Sequence, residues 1–281
     1  LTEITDMISI QNKPAYDCDV LIVGGGPAGS GLAYHLAVAG ISVGVVDAEK
    51  FPRDKVCGDG VSPIAIAELH KMGITNSRKF ARTNEINEVG LFIRNDKVFV
   101  NLSKPDHLPY HAHIIPRIEL DYWIYSAAKK KGATFLEETR FISYQINEDG
   151  VLIQLKTADK KFFLTAKVIV GADGSSSAVA RQLQGSNPND QFQLLGLRAY
   201  YEGVKGPDNR VDIYFSEESF PGIYWMFPKG PAGANVGMAM VSATIPQKPT
   251  HVKQLLQQHI EKNKYICDRI GNGQMQGKIL G

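Results

Sequence analysis

The chain has 281 residues, 43% hydrophobic and 21% charged, a composition that suits a globular protein with a sizeable core. Its formal net charge of +2 gives no indication of nucleic-acid binding. The three widely spaced cysteines argue against a disulfide framework and for a reducing compartment, and no C-x-x-C pair or histidine cluster suggests a metal site. No apolar run approaches the roughly 18 residues of a membrane-spanning helix, so we expect a cytoplasmic protein.

The first predicted unit is a β-α-β segment that follows an N-terminal extension, residues 1–17. "CDVLIVGGG" (18–26) is a continuous apolar run ended by glycines, which is typical of a strand buried on both faces. A helix is predicted over 28–39, and "ISVGVVD" (41–47) reads as a second buried strand. This order favours a parallel sheet with a right-handed crossover.

A G-x-G-x-x-G motif, Gly24, Gly26 and Gly29, joins the first strand to the helix. The three glycines permit a tight turn, close approach of a pyrophosphate and close packing of helix on strand. We count Ala28, at the helix start, with them. Asp47 ends the second strand, where a carboxylate would bind ribose hydroxyls. The alternative is a glycine-rich turn with an unrelated surface acid, and the motif does not choose between NAD(P) and FAD.

The remaining elements follow from turn residues and hydrophobic periodicity. We predict helices over 62–72, 117–132 and 250–263, with Ser62 and Thr250 as N-caps, and a hairpin over 86–102. Strands are predicted over 133–137, 140–147, 151–157 and 162–170, then over 193–204, 210–216, 222–228 and 233–243, with "GKILG" at the end as the start of another strand.

Two later segments point to FAD. "VIVGADGSSSAVAR" (168–181) resembles the second FAD fingerprint of the flavoprotein group that includes the aromatic hydroxylases, and this resemblance implies that Asp173 and Gly174 lie near the cofactor. The alternative is an Asp-Gly turn before a helix capped by Ser175. "IIPRIELDYWI" (114–124) is similar to the R-x-x-L/F-D pattern of the same group, which implies that Arg117 reaches the flavin; a solvent-facing arginine is the alternative.

Four segments narrow the resemblance to the geranylgeranyl reductase family, including its menaquinone-reducing and archaeal-lipid-reducing branches. They are "FPRDKVCGDGVSP" (51–63), "GADGSSSAVAR" (171–181), "FPGIYWMFPKG" (220–230) and "ANVGMAM" (234–240). The resemblance covers 18–243. It implies an FAD-dependent oxidoreductase that reduces carbon–carbon double bonds of an isoprenoid by hydride transfer from reduced flavin.

The same resemblance implies the site residues. Cys57, Gly58 and Gly60 would lie beside the flavin and Arg53 near its phosphates, while Tyr224, Trp225 and Phe227 would line the substrate cavity; Cys57, Tyr224 and Trp225 are the predicted catalytic residues. One departure concerns Tyr224 and Trp225, which are adjacent here although the family separates them by one residue. Neighbouring strand residues face opposite sides, which puts the role of Tyr224 in doubt.

For the fold we expect an α/β (α+β overall) protein: a Rossmann-like FAD-binding domain, residues 18–85 plus 115–190, with an inserted, mainly antiparallel β-sheet substrate domain, residues 86–114 plus 191–281. "GSNPND" (185–190) is the best linker candidate. The family carries a third FAD motif, similar to Gly-Asp-Ala-Ala-Gly, which does not occur after 243. We therefore expect a further segment of roughly a hundred residues or more.

Several alternatives stay open at this point. Cys57 is a packing residue, a redox thiol or a group held against the flavin. The alternative activity is that of an FAD-dependent monooxygenase or halogenase-like enzyme acting on an aromatic or polyketide-like substrate, and a non-catalytic flavin- or lipid-binding protein is a third reading. The expected electron donor is NAD(P)H or a ferredoxin-type protein, and a hydrophobic substrate predicts peripheral contact with the inner face of the membrane.

Overall fold

The computed structural model describes residues 17–185, 193–216, 221–244 and 249–281. The six helices are α1 (Pro27–Val38), α2 (Pro63–Lys71), α3 (Arg117–Lys130), α4 (Ala178–Gln184), α5 (Pro249–Lys262) and α6 (Lys264–Ile270) in these ranges. The sixteen strands of the same ranges are β1 (Cys18–Val23), β2 (Val43–Val46), β3 (Gly60–Val61), β4 (Asn84–Ile86), β5 (Glu88–Ile93), β6 (Asp96–Asn101), β7 (Ala112–Ile114), β8 (Thr134–Leu136), β9 (Arg140–Asn147), β10 (Gly150–Lys156), β11 (Lys161–Gly171), β12 (Leu194–Glu202), β13 (Arg210–Phe215), β14 (Ile223–Gly230), β15 (Gly233–Val241) and β16 (Gln274–Leu280).

The chain divides into two compact units, Leu1–Phe51 with Ile124–Ser186 and Pro52–Trp123 with Asn187–Gly281. The division differs from the predicted one, because the segments 52–85 and 115–123 group with the second unit. The predicted boundary at 190 and the linker after residue 185 lie outside the described residues, as do residues 1–16 of the predicted extension.

The first unit contains a six-stranded sheet in the order β8-β2-β1-β11-β10-β9. β8, β2, β1 and β11 are parallel neighbours, and β10 and β9 extend the sheet as antiparallel strands. Continuous apolar runs in β1 and β2 fit this position, since a parallel strand is buried on both faces. One cluster of its core includes Leu21, Val46 and Ile153, all nearly inaccessible to solvent.

The second unit contains a seven-stranded sheet in the order β16-β12-β15-β14-β13-β5-β6 and a small sheet in the order β3-β7-β4. The pairing is antiparallel except between β5 and β13. α5 and α6 contribute Leu256 and Ile266 to the core, where both are fully buried with Met226 and Met238 of the larger sheet. This sheet therefore buries one face against helices, as alternating strands require.

Three local predictions need correction. The last predicted helix begins at Pro249, which puts Thr250 inside its first turn and not at its N-cap, because proline is favoured at the first helical position. α6 was not predicted; it is a separate short helix capped by Asn263. The helix after the Asp-Gly turn is capped by Ser177, so the cap assigned to Ser175 is wrong. In the described ranges no helix is long and apolar enough to cross a membrane.

Candidate functional site

Three parallel strands of the first unit end at the same edge of the sheet, and each is followed by one of the predicted cofactor motifs. The glycine loop follows β1, the acid follows β2 and the Asp-Gly turn follows β11. Gly24 donates its backbone N–H to the Val46 carbonyl at 2.8 Å, and Ala172 donates to the Val23 carbonyl at 2.7 Å. Backbone hydrogen bonds thus hold the three segments together at the strand ends, where α/β sheets bind their ligands.

Two of the three motif glycines are required by contacts within the protein itself. Gly24 has φ +100°, and a Cβ there would lie 2.4 Å from the Ala172 carbonyl oxygen. A Cβ on Gly29 would lie 1.8 Å from the Gly24 carbonyl oxygen. Gly26 is the N-cap of α1 with an ordinary φ of −67°. Its predicted purpose, to let a pyrophosphate approach the backbone, remains a prediction.

The N-terminus of α1 suits an anionic ligand. In this fully described helix, no side chain caps the first turn and no acidic residue lies in it. The backbone N–H groups of such a turn carry partial positive charge and bind phosphate oxygens. Ala28, which we predicted among the cofactor-binding residues, is exposed in this turn. The loop and helix together fit the pyrophosphate of a dinucleotide.

Asp47 has a structural task that the sequence did not reveal. Its Oδ2 accepts the N–H of Gly25 at 2.7 Å, and its Oδ1 accepts the N–H of Glu49 at 2.9 Å. The carboxylate is buried, with 9% relative exposure. Asp47 therefore ties the glycine loop to the end of β2, in addition to the ribose contact that we predict for it.

Asp173 also accepts hydrogen bonds from the protein itself. Its Oδ1 accepts the Ser177 hydroxyl at 2.5 Å, and its Oδ2 accepts the N–H of Ala178 at 2.7 Å. Gly174 follows with φ +80°, a conformation that favours glycine. These contacts match the alternative role, a turn that begins a helix, and the predicted FAD contact of Asp173 and Gly174 remains a prediction.

The second unit holds a separate polar cluster around Asp59, a residue that the sequence analysis did not select. Asp59 has 1% relative exposure and φ +66°. Its Oδ2 accepts the Tyr200 hydroxyl and Asn235 Nδ2, both at 2.7 Å, and its Oδ1 accepts the Arg117 N–H at 3.3 Å. Burial raises the pKa of the Asp59 carboxyl, while the hydrogen bonds from Tyr200 and Asn235 act against this rise.

Asn235 connects this carboxylate to two predicted site residues. Its Nδ2 donates to the Cys57 carbonyl at 2.8 Å as well as to Asp59, and its Oδ1 accepts Trp225 Nε1 at 2.9 Å. Asn235 is fully buried on β15. One amide side chain therefore fixes the backbone at Cys57 and the orientation of the Trp225 indole.

Arg53 and Arg117, both predicted to contact the cofactor, converge on Asp121. Arg53 donates to Asp121 Oδ2 at 2.8 Å, and Arg117 Nε donates to Oδ1 at 2.6 Å. The Asp121 side chain is completely buried. Burial would lower the pKa of Arg117, but Asp121 and the neighbouring Cys57 side chain raise it above its usual range. Asp121 thus orients both arginines, and their contact with the flavin remains a prediction.

A further ion pair anchors the segment that carries Cys57, which we call the Cys57 loop (residues 52–60). Arg198 of β12, with 2% of its side chain exposed, donates through one nitrogen to both oxygens of Asp54 at 2.5 Å. Its guanidinium also lies 4.0 Å above the Tyr200 ring. Charged and polar groups therefore hold both ends of the loop.

Trp225 and Phe227 lie on the same face of β14 and form what we call the aromatic wall; their ring centroids are 6.0 Å apart. A Cβ on Gly58 would lie 3.0 Å from Phe227 and 3.5 Å from Trp225 Nε1. Gly58 is thus needed where the Cys57 loop meets the wall. A Cβ on Gly60 would meet nothing within 4 Å, so protein packing does not require glycine there.

Tyr224 does not join the aromatic wall. It has 2% relative exposure and belongs to the core cluster on the other face of the sheet. Its ring stacks on His259 of α5, with centroids 3.4 Å apart. The strand alternation that made its role doubtful separates Tyr224 from Trp225.

The structure adds residues that sequence reasoning missed: Asp59, Asp121, Arg198, Tyr200 and Asn235. A signal for three of them was present, because Arg198 and Asn235 interrupt apolar strands and Asp59 stands between two glycines. A polar side chain in a buried strand requires a partner. The identity of those partners depends on chain segments that are far apart in sequence.

The sheet topology, the glycine loop and the helix start define a dinucleotide-binding α/β domain. A family profile described as "FAD binding domain" matches residues 17–263, and the chain belongs to this family. FAD is accordingly its cofactor.

Curated relatives extend the comparison. The chain is 32% identical over 230 residues to the menaquinone reductase of Mycolicibacterium smegmatis and 29% identical over 230 residues to digeranylgeranylglycerophospholipid reductase 1 of Methanothermobacter thermautotrophicus. Each alignment covers 80% of this chain but only 55% and 57% of the respective relatives. The chain therefore spans little more than half the length of these relatives.

A solved structure shares the fold. The geranylgeranyl bacteriochlorophyll reductase-like protein of Thermoplasma acidophilum superposes with a TM-score of 0.78 at 22% identity. The match covers 94% of this chain and 65% of that protein. This similarity confirms the predicted mixed α/β, flavoprotein-type fold.

Proposed function

We propose that the protein to which this chain belongs is an FAD-dependent reductase that saturates carbon–carbon double bonds of an isoprenoid. The observation that carries the proposal is the aromatic wall packed against the Cys57 loop, in a chain whose relatives are named as reductases of menaquinone and digeranylgeranyl lipids. The sequence resemblance assigns this loop to the flavin. Aromatic side chains offer an isoprenoid chain a large apolar contact surface.

Saturating an isolated double bond needs a hydride for one carbon and a proton for the other. Reduced FAD supplies the hydride when it is bound. The protein must hold the alkene in place, exclude water and provide a proton donor. We assign the first two tasks to Trp225 and Phe227, and the proton to the Cys57 thiol, which is partly exposed beside Arg117.

We assign roles outside the reaction itself to the other predicted residues. Gly24, Gly26, Gly29 and Asp47 bind the dinucleotide, as the edge of the first sheet supports. Tyr224 is assigned to the core and not to the substrate, because it stacks on His259 inside an apolar cluster. An external donor, NAD(P)H or a ferredoxin-type protein, returns two electrons to the flavin after each turnover.

An anaerobic half-reaction tests the proposal. The bound flavin of the purified protein is reduced, and a lipid with geranylgeranyl chains is added in the absence of oxygen, with the same lipid carrying saturated chains as the matched control. We expect flavin reoxidation, seen as recovery of its visible absorbance, with the unsaturated lipid alone and a product heavier by two hydrogens.

Other outcomes would identify the alternatives. Reoxidation that requires oxygen and gives a hydroxylated product would indicate a monooxygenase, and one that also requires halide would indicate a halogenase. Flavin binding without any substrate-dependent reoxidation would indicate a non-catalytic flavin- or lipid-binding protein. In the reductase, Cys57→Ala should retain its flavin and lose at least tenfold in the reoxidation rate, since a positioned proton donor contributes about 10²–10⁴-fold.

A further inference from the structure

Asp59 combines two unfavourable features in one residue. Its backbone adopts φ +66°, a conformation that residues other than glycine seldom adopt, although aspartate tolerates it better than most. Its carboxylate is buried at 1% relative exposure, where a charged group loses hydration. Strain of this kind persists only where the surroundings determine it, and it is concentrated at functional sites.

Four hydrogen bonds from surrounding residues fix the conformation of Asp59. Tyr200 and Asn235 donate to one carboxylate oxygen and the Arg117 backbone donates to the other. The Asp59 carbonyl accepts the Ile115 N–H at 2.8 Å. The residue is thereby tied to β12, to β15, to the segment between β7 and α3, and to the first residue of α3.

Asn235 connects Asp59 to Cys57. The amide group that donates to Asp59 also donates to the Cys57 carbonyl, at 2.7 Å and 2.8 Å respectively. Two acceptors from one loop therefore share a single donor group on β15. Removing the Asp59 carboxylate takes away one of the bonds that orient the Asn235 amide, and the same amide holds the Cys57 carbonyl.

We propose that Asp59 is a positioning residue, which acts with Asn235 and Tyr200 to fix the Cys57 loop and so to aim the Cys57 thiol. The reaction in which that thiol takes part rests on the proposed function. Asp59 itself does not touch the substrate or exchange a proton.

Two substitutions at Asp59 separate its backbone conformation from its carboxylate. Asp59→Gly keeps the left-handed backbone without strain but removes the acceptor. Asp59→Asn tolerates the same backbone and keeps one acceptor oxygen for Tyr200 and Asn235. If the carboxylate positions the loop, glycine is the more damaging replacement and asparagine restores most of the function.

A matched pair of tyrosine variants provides the control. Tyr200→Phe removes one donor to Asp59. Tyr214→Phe removes a hydroxyl that donates at 3.2 Å to Asp212, a fully buried aspartate on β13, in the same sheet as Tyr200. The two variants make the same chemical change, although Tyr200 is half-buried and Tyr214 is fully buried. Within the described residues the Tyr214 hydroxyl bonds to Asp212 and not to the Cys57 loop.

Amide hydrogen exchange of the flavin-free protein measures loop positioning without any activity. We expect Asp59→Gly and Tyr200→Phe to speed exchange in the peptide covering residues 54–61 by roughly fivefold per lost hydrogen bond, because local opening becomes easier. Tyr214→Phe should leave that peptide unchanged. Unchanged exchange in Asp59→Gly would overturn the proposal.

Kinetics of the flavin-loaded protein give the second readout. Misplacing the thiol should lower kcat by about tenfold or more in Asp59→Gly and leave KM within about twofold, with most of kcat restored in Asp59→Asn. An unchanged kcat together with faster exchange would also overturn the positioning role. If wild-type protein shows no reductase turnover while loop exchange responds as expected, the proposed function fails and the fixing of the loop stands.

Discussion

The Trp225 indole occupies the space that a side chain on Gly237 would need. The two residues are partners on the neighbouring strands β14 and β15. A Cβ on Gly237 would lie 2.3 Å from Trp225 Cζ2 and 2.5 Å from the Leu197 carbonyl oxygen. The glycine in "ANVGMAM" therefore has a steric reason that involves the aromatic wall directly.

Gly237→Ala should displace the indole and disturb its bond to Asn235. We expect a loss of roughly 2 kcal/mol in the free energy of unfolding, because an added methyl group cannot fit without shifting backbone or ring. Urea unfolding measures this loss. Fluorescence in a Trp123→Phe background reports Trp225 alone, since the chain has two tryptophans, and a red-shifted emission is expected.

Gly196→Ala is the matched control on β12. A Cβ there would meet only Val56 at 3.8 Å and the Met238 carbonyl at 4.0 Å, which are ordinary contacts. Its stability should stay within about 0.5 kcal/mol of wild type. Equal losses in Gly196→Ala and Gly237→Ala would show that strand glycines matter here for a reason other than the indole.

Asp47→Asn separates the two tasks assigned to that residue. Its amide nitrogen cannot accept a hydrogen bond, so either the Gly25 or the Glu49 N–H loses its partner. We expect the flavin-free protein to lose about 1–3 kcal/mol of unfolding free energy, and FAD to bind more weakly in a fluorescence titration.

The control for Asp47→Asn is Asp19→Asn on the same sheet. Asp19 accepts the Ser42 N–H and pairs with Lys167 in a more exposed position, where solvent screens the pair and its contribution to stability is small. A variant of Asp47 that weakens FAD binding but unfolds like wild type would limit the residue to the ribose contact.

The cofactor motif could be predicted from sequence because its parts are local. A strand, a glycine loop and a helix follow one another within 18–39, and the structure places Gly24 and Gly29 where the motif requires glycine. Buried strands leave continuous apolar runs, so their existence and their ends were also predictable.

The Asp59 cluster could not be predicted because its bonds join distant segments. Asp59 and Asn235 are 176 positions apart, and the sequence carries no rule that pairs them. The role of Arg117 could not be predicted from sequence either. Arg117 stands four residues before Asp121, a spacing that fits either a cofactor contact of the arginine or an ion pair within the helix, and the structure contains the ion pair.

Asp121→Asn should be strongly destabilising. The completely buried carboxylate is shared by Arg53 and Arg117, and Asp121→Asn removes the negative charge to which both partly buried guanidinium groups donate. We expect a loss of about 3 kcal/mol or more in unfolding free energy. Glu68→Gln, which removes an exposed pair with Lys71, should change it by less than about 1 kcal/mol.

His259 gives the protein a pH-dependent stability in mildly acidic solution. Burial lowers the pKa of His259 from 6.5 to about 4, so the folded state holds the ring neutral while the unfolded state protonates it between these values. The unfolded state then binds more protons, and stability must fall as the pH decreases from about 6.5 towards 4. Above pH 7 both states are neutral at this position and the effect is absent.

His259→Phe isolates this contribution, because phenylalanine keeps an aromatic ring against Tyr224 but cannot protonate. Urea unfolding of both proteins at pH 7, 6, 5 and 4.5 should show the wild type losing stability relative to the variant at each step below pH 6.5. Carboxylates elsewhere affect both proteins alike and cancel in the difference. A difference that stays constant over this range would mean that His259 titrates in the folded protein as it does in the unfolded chain.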